Sequence, residues 1–112
     1  MHALDILGDP VRRRLVELLA AEDQPAGAVS RIVEQEFGIS QPAVARHLRV
    51  LREAGFVSAR PAGARRIYRL EEAVIDQLQS QVDRYRSLWN QRLDALDTEI
   101  ARGKRERKAD RS

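Results

Sequence analysis

The sequence predicts a mainly α fold with a small β-hairpin, which belongs to the α+β class. Apolar residues recur at helical spacing before residue 55 and again after residue 71, and a hairpin pattern lies between these regions around Gly63. A chain of 112 residues fits one small domain, and a hydrophobic content of 43% permits a small core. That core has to be largely aliphatic, because only five residues are aromatic.

Two helices are expected at the start of the chain. Residues 3–7 are mostly apolar and predict a short first helix. A second helix covers residues 11–21, where the apolar residues fall on one face. Asp9 and Pro10 predict its start, because an Asp side chain accepts hydrogen bonds from first-turn amides and Pro tolerates the first helical position.

A third helix is expected after a loop. Residues 22–27 include Pro25 and Gly27 and therefore predict the loop. Residues 29–37 return to helical spacing. Gly38 is well placed to end this helix in the left-handed conformation, which glycine adopts without steric cost.

The fourth helix presents different chemistry on its two sides. Ser40 predicts its start and Gly55 its end, so the gap after the third helix is short, as in a helix-turn-helix. At about 100° per residue, its apolar sector consists of Val44, Leu48 and Leu51. The outer sector and its edges hold Pro42, Arg46, Arg49 and Glu53, with Gln41 and Ala45 on one edge and Ala43 and His47 on the other. Such an outer face suits the major groove of DNA.

Two strands are predicted after the fourth helix, over residues 56–60 and 65–70. Residues 61–64 form the expected turn, because their glycine supplies the positive φ that hairpin turns favour. Three basic side chains lie near this turn: Arg60, Arg65 and Arg66. A basic hairpin beside a basic helix is typical of a wing that contacts phosphates or the adjacent minor groove.

Positive charge is concentrated between residues 40 and 70. This segment has seven arginines and a single acidic residue, Glu53, for a net charge of +6. Residues 1–39 and 71–102 each carry a net charge of −3, and residues 103–112 carry +3. The modest overall charge of +3 therefore hides a basic patch, which indicates a polyanionic partner.

Three segments together resemble the ArsR/SmtB-type winged helix-turn-helix repressor family: LGDPVRRRLVELL, ISQPAVARHLRVLREAGFV and RPAGARRIYRL. The resemblance covers about residues 3–75 and is strongest to the non-metal, SdpR-like branch. The pattern YRxxWxxRLDxL, at residues 85–96, also resembles that branch. The resemblance implies a homodimer that binds an inverted repeat in double-stranded DNA and represses transcription.

The resemblance also implies which residues contact DNA. On the helix these are Ser40, Gln41, Ala43, Ala45, Arg46 and His47, to which the outward face adds Arg49. On the wing they are Arg60, Arg65 and Arg66. Many relatives have Thr or Ser where this chain has Ala43 and Ala45. Base recognition is therefore expected to shift to methyl contacts with thymine, or to Gln41 and Arg46.

The last predicted helix covers residues 71–102 and would be about 48 Å long at 1.5 Å per residue. It carries one apolar stripe: Leu78, Val82, Tyr85, Trp89, Leu93, Leu96 and Ile100. The small core of one subunit cannot cover this stripe. We therefore expect a dimer contact in which a second subunit covers the stripe, and in which Leu4 and Leu7 of the first helix also take part. The predicted organisation is a DNA-binding domain over residues 1–75, a dimerisation helix over 76–102 and a disordered basic tail over 103–112.

Several alternatives stay open at the level of sequence. Tyr85 and Trp89 could instead line a pocket for an unidentified small-molecule effector. His47 is as well suited to packing on the helix flank as to contacting DNA. The three arginines at residues 12–14 fit either a phosphate or an internal ion pair with Glu17. A winged helix that binds a protein or RNA is an alternative function.

Other classes of function find little support in the composition. The chain has no cysteine, and its last helix has no histidine, so no metal site and no cofactor are expected. No Gly-rich phosphate loop or nucleophile-base set is present, which argues against an enzyme. No segment has the pattern of a membrane span or a signal peptide, so a cytoplasmic protein is expected. No motif identifies the operator, the regulated genes or the inducing signal.

Overall fold

The computed structural model describes residues 3–111, with side chains described through residue 107. The fold is mainly helical with a small antiparallel sheet, which confirms the predicted class. In chain order the elements are α1 (Ala3–Ile6), α2 (Pro10–Ala21), β1 (Gln24–Pro25), α3 (Ala26–Phe37), α4 (Gln41–Glu53), β2 (Val57–Ala62), β3 (Arg65–Leu70) and α5 (Glu72–Arg111). The chain divides into two compact units between Leu78 and Gln79, three residues beyond the predicted domain boundary.

One hydrophobic core holds the first unit together. Its most deeply buried side chains come from α1, α2, α3, α4 and the residue before β2: Ile6, Leu15, Val29, Val33, Val44, Leu51 and Phe56. Val74, from the first turn of α5, is also buried in this core. Burying an aliphatic or aromatic side chain contributes about 1.5–3 kcal/mol each, so this cluster fixes how the helices and the hairpin pack.

Side-chain and glycine caps fix the ends of the helices where the sequence predicts them. Asp9 Oδ1 accepts hydrogen bonds from the backbone N–H of Val11 at 2.8 Å and of Arg12 at 3.1 Å, at the start of α2. Ser40 Oγ accepts one from the N–H of Ala43 at 3.3 Å, at the start of α4. Gly38 ends α3 with a left-handed φ of 64°. These caps confirm the predicted starts of α2 and α4 and the predicted end of α3.

The loop predicted over residues 22–27 is wrong in part. Gln24 and Pro25 form the short strand β1, which pairs antiparallel with β3 opposite Tyr68 and Ile67. Pro25 is extended, at φ −62° and ψ 146°, and α3 starts directly after it at Ala26. A partner strand distant in the sequence stabilises this extended segment, so local composition alone did not predict it.

The hairpin turn is also shorter than predicted. β2 continues through Pro61 to Ala62, which pairs with Arg65, so only Gly63 and Ala64 connect the strands. Pro61 is tolerated because β2 lies at the edge of the sheet, whose strand order is β1-β3-β2. Gly63 has a φ of 64°, which explains the requirement for glycine in so tight a turn.

Helix α5 is longer than predicted, and the expected disordered tail from residue 103 to residue 112 is wrong for its described part. The helix passes residue 102 and continues to Arg111. Gly103 costs a helix only about 1 kcal/mol relative to Ala, and the Lys, Arg, Glu and Ala residues around it are good helix formers. Basic residues also interact favourably with the negative end of the helix dipole. Among the described helices, none combines the length and the apolar character that a membrane span needs.

Candidate nucleic-acid interface

Helix α4 is docked by its apolar sector and exposes the opposite side. Val44, Leu48 and Leu51 are buried in the core. Of the residues predicted to contact DNA, Gln41, Ala45, Arg46 and Arg49 are exposed on this helix. The core contacts thus fix the rotation of the helix about its own axis, and the rotation inferred from periodicity agrees with the structure.

Ala43 and His47 occupy the flank of α4 instead of its open face. Both are half-buried. The His47 side chain is 24% exposed, and its Nδ1 lies 3.8 Å from Oδ1 of Asp9, the residue that caps α2. His47 therefore packs on the flank of α4 with Asp9 as its neighbour. Both residues are among those predicted to contact DNA, and both are less exposed than the other predicted residues of α4.

Asp9 is an ionised group held at the junction of α2 and α4. Partial burial acts to raise the pKa of its carboxyl, but the hydrogen bond from the Arg12 amide, the nearby His47 and the hydrogen bond from the Val11 amide outweigh it. The pKa of Asp9 therefore lies below its ordinary value, and the carboxylate caps α2 as an anion.

Ser40 acts first as a helix cap. Its Oγ accepts the Ala43 amide hydrogen bond while the residue itself stays exposed. The hydroxyl hydrogen remains a donor, so the residue still has hydrogen-bonding capacity toward a phosphate. Capping and DNA contact are thus compatible roles for this side chain.

The wing distributes its arginines over both faces of the hairpin. Directly opposite residues in an antiparallel pair lie on the same face, and successive residues alternate. Arg60 faces Ile67 and Arg65 faces Ala62, so Arg60 and Arg65 share one face of the hairpin. Arg66 faces Pro61 on the other face. All three arginines are exposed near the turn, which gives the tip of the wing positive charge on both sides.

The arginines at residues 12–14 form hydrogen bonds within the protein itself. Arg12 Nε donates to the carbonyl of Ile6 at 2.7 Å, and Arg13 Nη1 donates to the carbonyl of Leu7 at 2.9 Å, so both satisfy carbonyls at the end of α1. Arg14 forms two hydrogen bonds to Glu36, at 2.8 and 2.9 Å, which connect α2 to α3. Arg14 thus forms the internal ion pair that the sequence left open. Its main partner is Glu36, and Glu17 is a longer contact at 3.4 Å.

The sequence interpretation missed a basic residue beside the wing. Arg31 of α3 lines a cleft of about 410 Å³ together with Arg65, Arg66 and the first residues of α3. Arg31 lies within residues 1–39, which carry a net negative charge, so the sum of charges over that region did not point to it. Only the pairing of β1 with β3 brings the start of α3 beside the hairpin, so no local sequence pattern would have found this neighbour.

The second unit carries most of the residues assigned to a dimer contact. Its exposed apolar side chains include most of the predicted stripe, namely Val82, Tyr85, Trp89, Leu93, Leu96 and Ile100, and also Leu88, which the stripe omitted. Arg92 lies over the Trp89 ring at 5.8 Å from the centroid. In the first unit, Leu4 is exposed, whereas Leu7 and Leu78 pack partly against the core of their own unit. Those two are therefore less available to a partner than predicted.

The groove beside Tyr85 and Trp89 is an open surface. It is lined by these two aromatic residues and by Val82, Arg86 and Asn90, all within a few turns of one helix. Within the part of the chain that the structure describes, no three His, Cys, Asp or Glu residues lie close enough together to hold a metal ion.

Sequence comparison places the chain among known regulators. A family model described as a helix-turn-helix domain matches residues 7–59, from the end of α1 into β2. The HTH-type transcriptional regulator Rv2034 of Mycobacterium tuberculosis is 38% identical over 84 residues, which cover 75% of each protein. The transcriptional repressor SdpR of Bacillus subtilis is 32% identical over 69 residues, which cover 62% of this chain and 72% of SdpR.

Structure comparison gives the same fold. The winged helix-turn-helix DNA-binding domain of Mb0332 from Mycobacterium bovis, a possible ArsR-family regulator, superposes with a TM-score of 0.58. The match covers 77% of this chain and 78% of that domain at 24% sequence identity, and that domain is homodimeric. The matched sequence, the docked helix with its basic outer face and the basic wing lead to one assignment: this chain belongs to the ArsR-type winged helix-turn-helix family of transcriptional repressors.

Proposed function

We propose that the protein is a homodimeric repressor that binds an inverted-repeat operator in double-stranded DNA. The exposed face of α4 carries this proposal: Gln41, Ala45, Arg46 and Arg49 are held open by a helix whose opposite side is buried. A helix held in this way can enter the major groove without losing its core contacts.

Each side chain on this face has a distinct role in the proposal. Arg46 donates two hydrogen bonds to the O6 and N7 acceptors of a guanine, and Gln41 pairs with an adenine edge. The methyl group of Ala45 contacts a thymine methyl. Arg49 and Ser40 contact the phosphate backbone, which positions the helix without reading sequence.

The wing supplies affinity. Arg60, Arg65 and Arg66 are exposed around the turn, so they reach the backbone or the minor groove beside the half-site. Phosphate contacts release counterions, and their contribution to binding therefore falls as the salt concentration rises.

The homodimer is supported by the exposed apolar side chains of α5. Val82, Tyr85, Trp89, Leu93 and Leu96 are each between 40% and 60% exposed. A contiguous stripe of this kind marks an interaction surface, and the same helix of a second copy matches its length and chemistry. A two-fold dimer predicts a palindromic operator with half-sites about 10–10.5 bp, or a multiple of that spacing, apart.

Two aspects of the proposal follow from its partner. The proposed function is DNA binding without a catalytic step, so we propose a regulator and not an enzyme. Its proposed location is the cytoplasm. The groove at Tyr85 and Trp89 is not part of the proposed function as an effector pocket, because it is an open helix surface that a second subunit would cover.

Arg46→Ala tests base recognition. The operator is first obtained by sequencing DNA fragments that co-purify with the wild-type chain. Loss of one two-point guanine contact is expected to weaken binding to the selected duplex by about 1–3 kcal/mol, roughly 5- to 150-fold, with a smaller effect on scrambled duplex. Gel-shift titration of both duplexes measures the ratio.

Arg84→Ala is the matched control, since it removes the same charge from an exposed position on α5. It is expected to leave the preference for the selected duplex at the wild-type level. An unchanged preference in the Arg46→Ala protein would contradict the assigned role of Arg46. A wild-type chain that prefers no duplex would contradict the proposed function itself.

A further inference from the structure

A basic cleft lies between the start of α3 and the tip of the wing. It measures about 410 Å³ and is lined by Ala26, Gly27, Arg31, Arg65 and Arg66, among others, with no acidic residue in its lining. Its arginines come from two elements, α3 and β3, that the sheet pairing holds together. The cleft is therefore a concave surface lined by three arginines.

These three guanidinium groups are uncompensated. Among the residues whose side chains are described, none forms a hydrogen bond or an ion pair with the guanidinium group of Arg31, Arg65 or Arg66. Arg12, Arg13 and Arg14 are different, because carbonyl oxygens and Glu36 satisfy them. The fold thus provides hydrogen-bond acceptors for Arg12, Arg13 and Arg14 and leaves the arginines at the cleft available to an external anion.

The backbone at the cleft favours the same kind of ligand. Pro25 precedes α3 and provides no side-chain hydrogen bond to its first turn, unlike Asp9 and Ser40 on α2 and α4. A Cβ added to Gly27 would meet nothing within 4 Å, so the glycine leaves the first turn open to solvent. Uncapped first-turn amides attract anions, which adds to the field of the three arginines.

The cleft lies next to a smaller cavity at the face of α4. A second, smaller cavity of about 80 Å³ is lined by Gln41 and Ala45 and shares Ala26 and Gly27 with the basic cleft. An anion in the cleft would thus lie next to the residues proposed to read the major groove.

We infer that the cleft between α3 and the wing is a binding site for a backbone phosphate of DNA. Arg31 lines the cleft from α3, Arg65 and Arg66 line it from the tip of the wing, and the first turn of α3 lies beside them. This inference rests on the proposed function and adds to it a phosphate contact from α3, with Arg31 as a DNA-binding residue. Without Arg31, the wing alone would hold the phosphate.

The salt dependence of binding tests the role of Arg31. Losing one phosphate contact reduces the slope of log K against log salt by about 0.9. For Arg31→Ala we therefore expect weaker binding at low salt, with a deficit that shrinks about threefold between about 50 and 200 mM salt. Arg31→Lys is expected to recover most of the slope. The ratio of affinities for selected and scrambled duplex is expected to stay at the wild-type value, because a phosphate carries no sequence information.

Arg84→Ala again serves as the control for net charge. If Arg31→Ala and Arg84→Ala had the same slope, the cleft would hold no phosphate and the inference would be overturned, while the Arg46 result would still test the proposed function. If the wild-type chain bound no duplex, the proposed function would fail first and this inference would fail with it.

Gly27 offers a second, independent pair of variants. Gly27→Glu places a carboxylate in the cleft, and Gly27→Gln adds a side chain of the same size without charge. We expect the Glu variant to bind DNA several-fold more weakly than the Gln variant at low salt, with the two converging at high salt. Equal affinities at low salt would overturn the inference.

A titration distinguishes DNA from a free phosphate as the ligand. Inorganic phosphate is added to the DNA-free wild-type chain at constant ionic strength, and the amide resonance of Gly27 is followed by NMR. A weak, non-saturating shift is expected, because a single phosphate lacks the rest of the duplex that holds it in place. Saturation that the Arg31→Ala variant abolishes would assign the cleft to a free phosphate compound and overturn the DNA assignment.

Discussion

Asp9 shows how one side chain connects local structure to the candidate interface. Its carboxylate accepts two amide hydrogen bonds at the start of α2 and lies 3.8 Å from His47 on α4. It thus caps one helix and faces the flank of the helix that is proposed to read DNA. A substitution at Asp9 is expected to affect stability first and the seating of α4 second.

Asp9→Ala is expected to destabilise the fold by about 1 kcal/mol, the usual cost of losing an N-cap. Urea denaturation at pH 7 and fixed protein concentration measures this loss. Asp9→Asn is the matched control, because Asn caps helices about as well as Asp but carries no charge. An Asn variant as unstable as the Ala variant would show that charge, and not capping, dominates at this position.

The pH dependence of stability follows from the lowered pKa of the same carboxyl. A group whose pKa is lower in the folded state than in the unfolded state stabilises the fold above its unfolded value, and loses this contribution as the pH falls through the folded value. The small stability difference between wild type and Asp9→Asn reports the contribution of the charge, and it should be fully present near neutral pH and shrink below about pH 4. A difference that grew on acidification would contradict the assigned direction of the pKa.

At the scale of single elements, the wing depends on its two-residue turn. Gly63 has a φ of 64°, and a Cβ there would meet no atom within 4 Å, so the backbone conformation and not space is what requires glycine. The turn sets the register that places Arg65 opposite Ala62 and Arg66 opposite Pro61. The turn thus helps to set the positions of the wing arginines, together with the pairing of β2 and β3.

Gly63→Val is expected to loosen the end of the hairpin, because a β-branched residue is strained at positive φ. Amide hydrogen exchange in β2 and β3 near the turn should become faster, while the core amides of α2 and α4 stay protected. Gly63→Asn is the control, since Asn tolerates this conformation. Equal protection in the Val variant and the wild type would show that the strands and not the turn hold the wing.

Helix α4 illustrates a different balance at the same scale. Its cap at Ser40 and its apolar sector of Val44, Leu48 and Leu51 are local features, visible in the sequence and retained in the structure. The start of α4 and its buried side can therefore be predicted from local sequence alone. What the tertiary structure adds is the neighbours of its edges: Asp9 beside His47, and the start of α3 beside Gln41 and Ala45.

At the scale of the whole molecule, the exposed stripe of α5 determines the proposed assembly. Trp89 is 56% exposed and is the single tryptophan of the chain, so its fluorescence reports on whatever covers the stripe. In a dimer the indole would leave water, and its emission would shift to shorter wavelength. Dilution through the dissociation constant should reverse that shift.

Leu93→Glu is expected to shift the protein toward monomer, because it places a charge in the middle of the proposed dimer contact. Sedimentation equilibrium at micromolar concentration should give a lower average mass, and binding to the palindromic duplex should weaken more than binding to a single half-site. Gln91→Glu introduces the same side chain elsewhere on the same helix and is expected to leave both unchanged. A wild-type chain that sediments as a monomer would contradict the proposed dimer.

The sequence by itself determined the helical class, the capped starts of α2 and α4, and the outward set on α4 that includes Arg46. These features depend on hydrogen bonds and apolar spacing within a few residues, which a linear pattern records. Only the tertiary structure decided that residues 24–25 form a strand, that Arg12, Arg13 and Arg14 are satisfied internally, and that Arg31 faces the wing. The reason is physical: the partner of a strand or of a charged side chain is set by distances between elements, and those distances exist only after the core has packed.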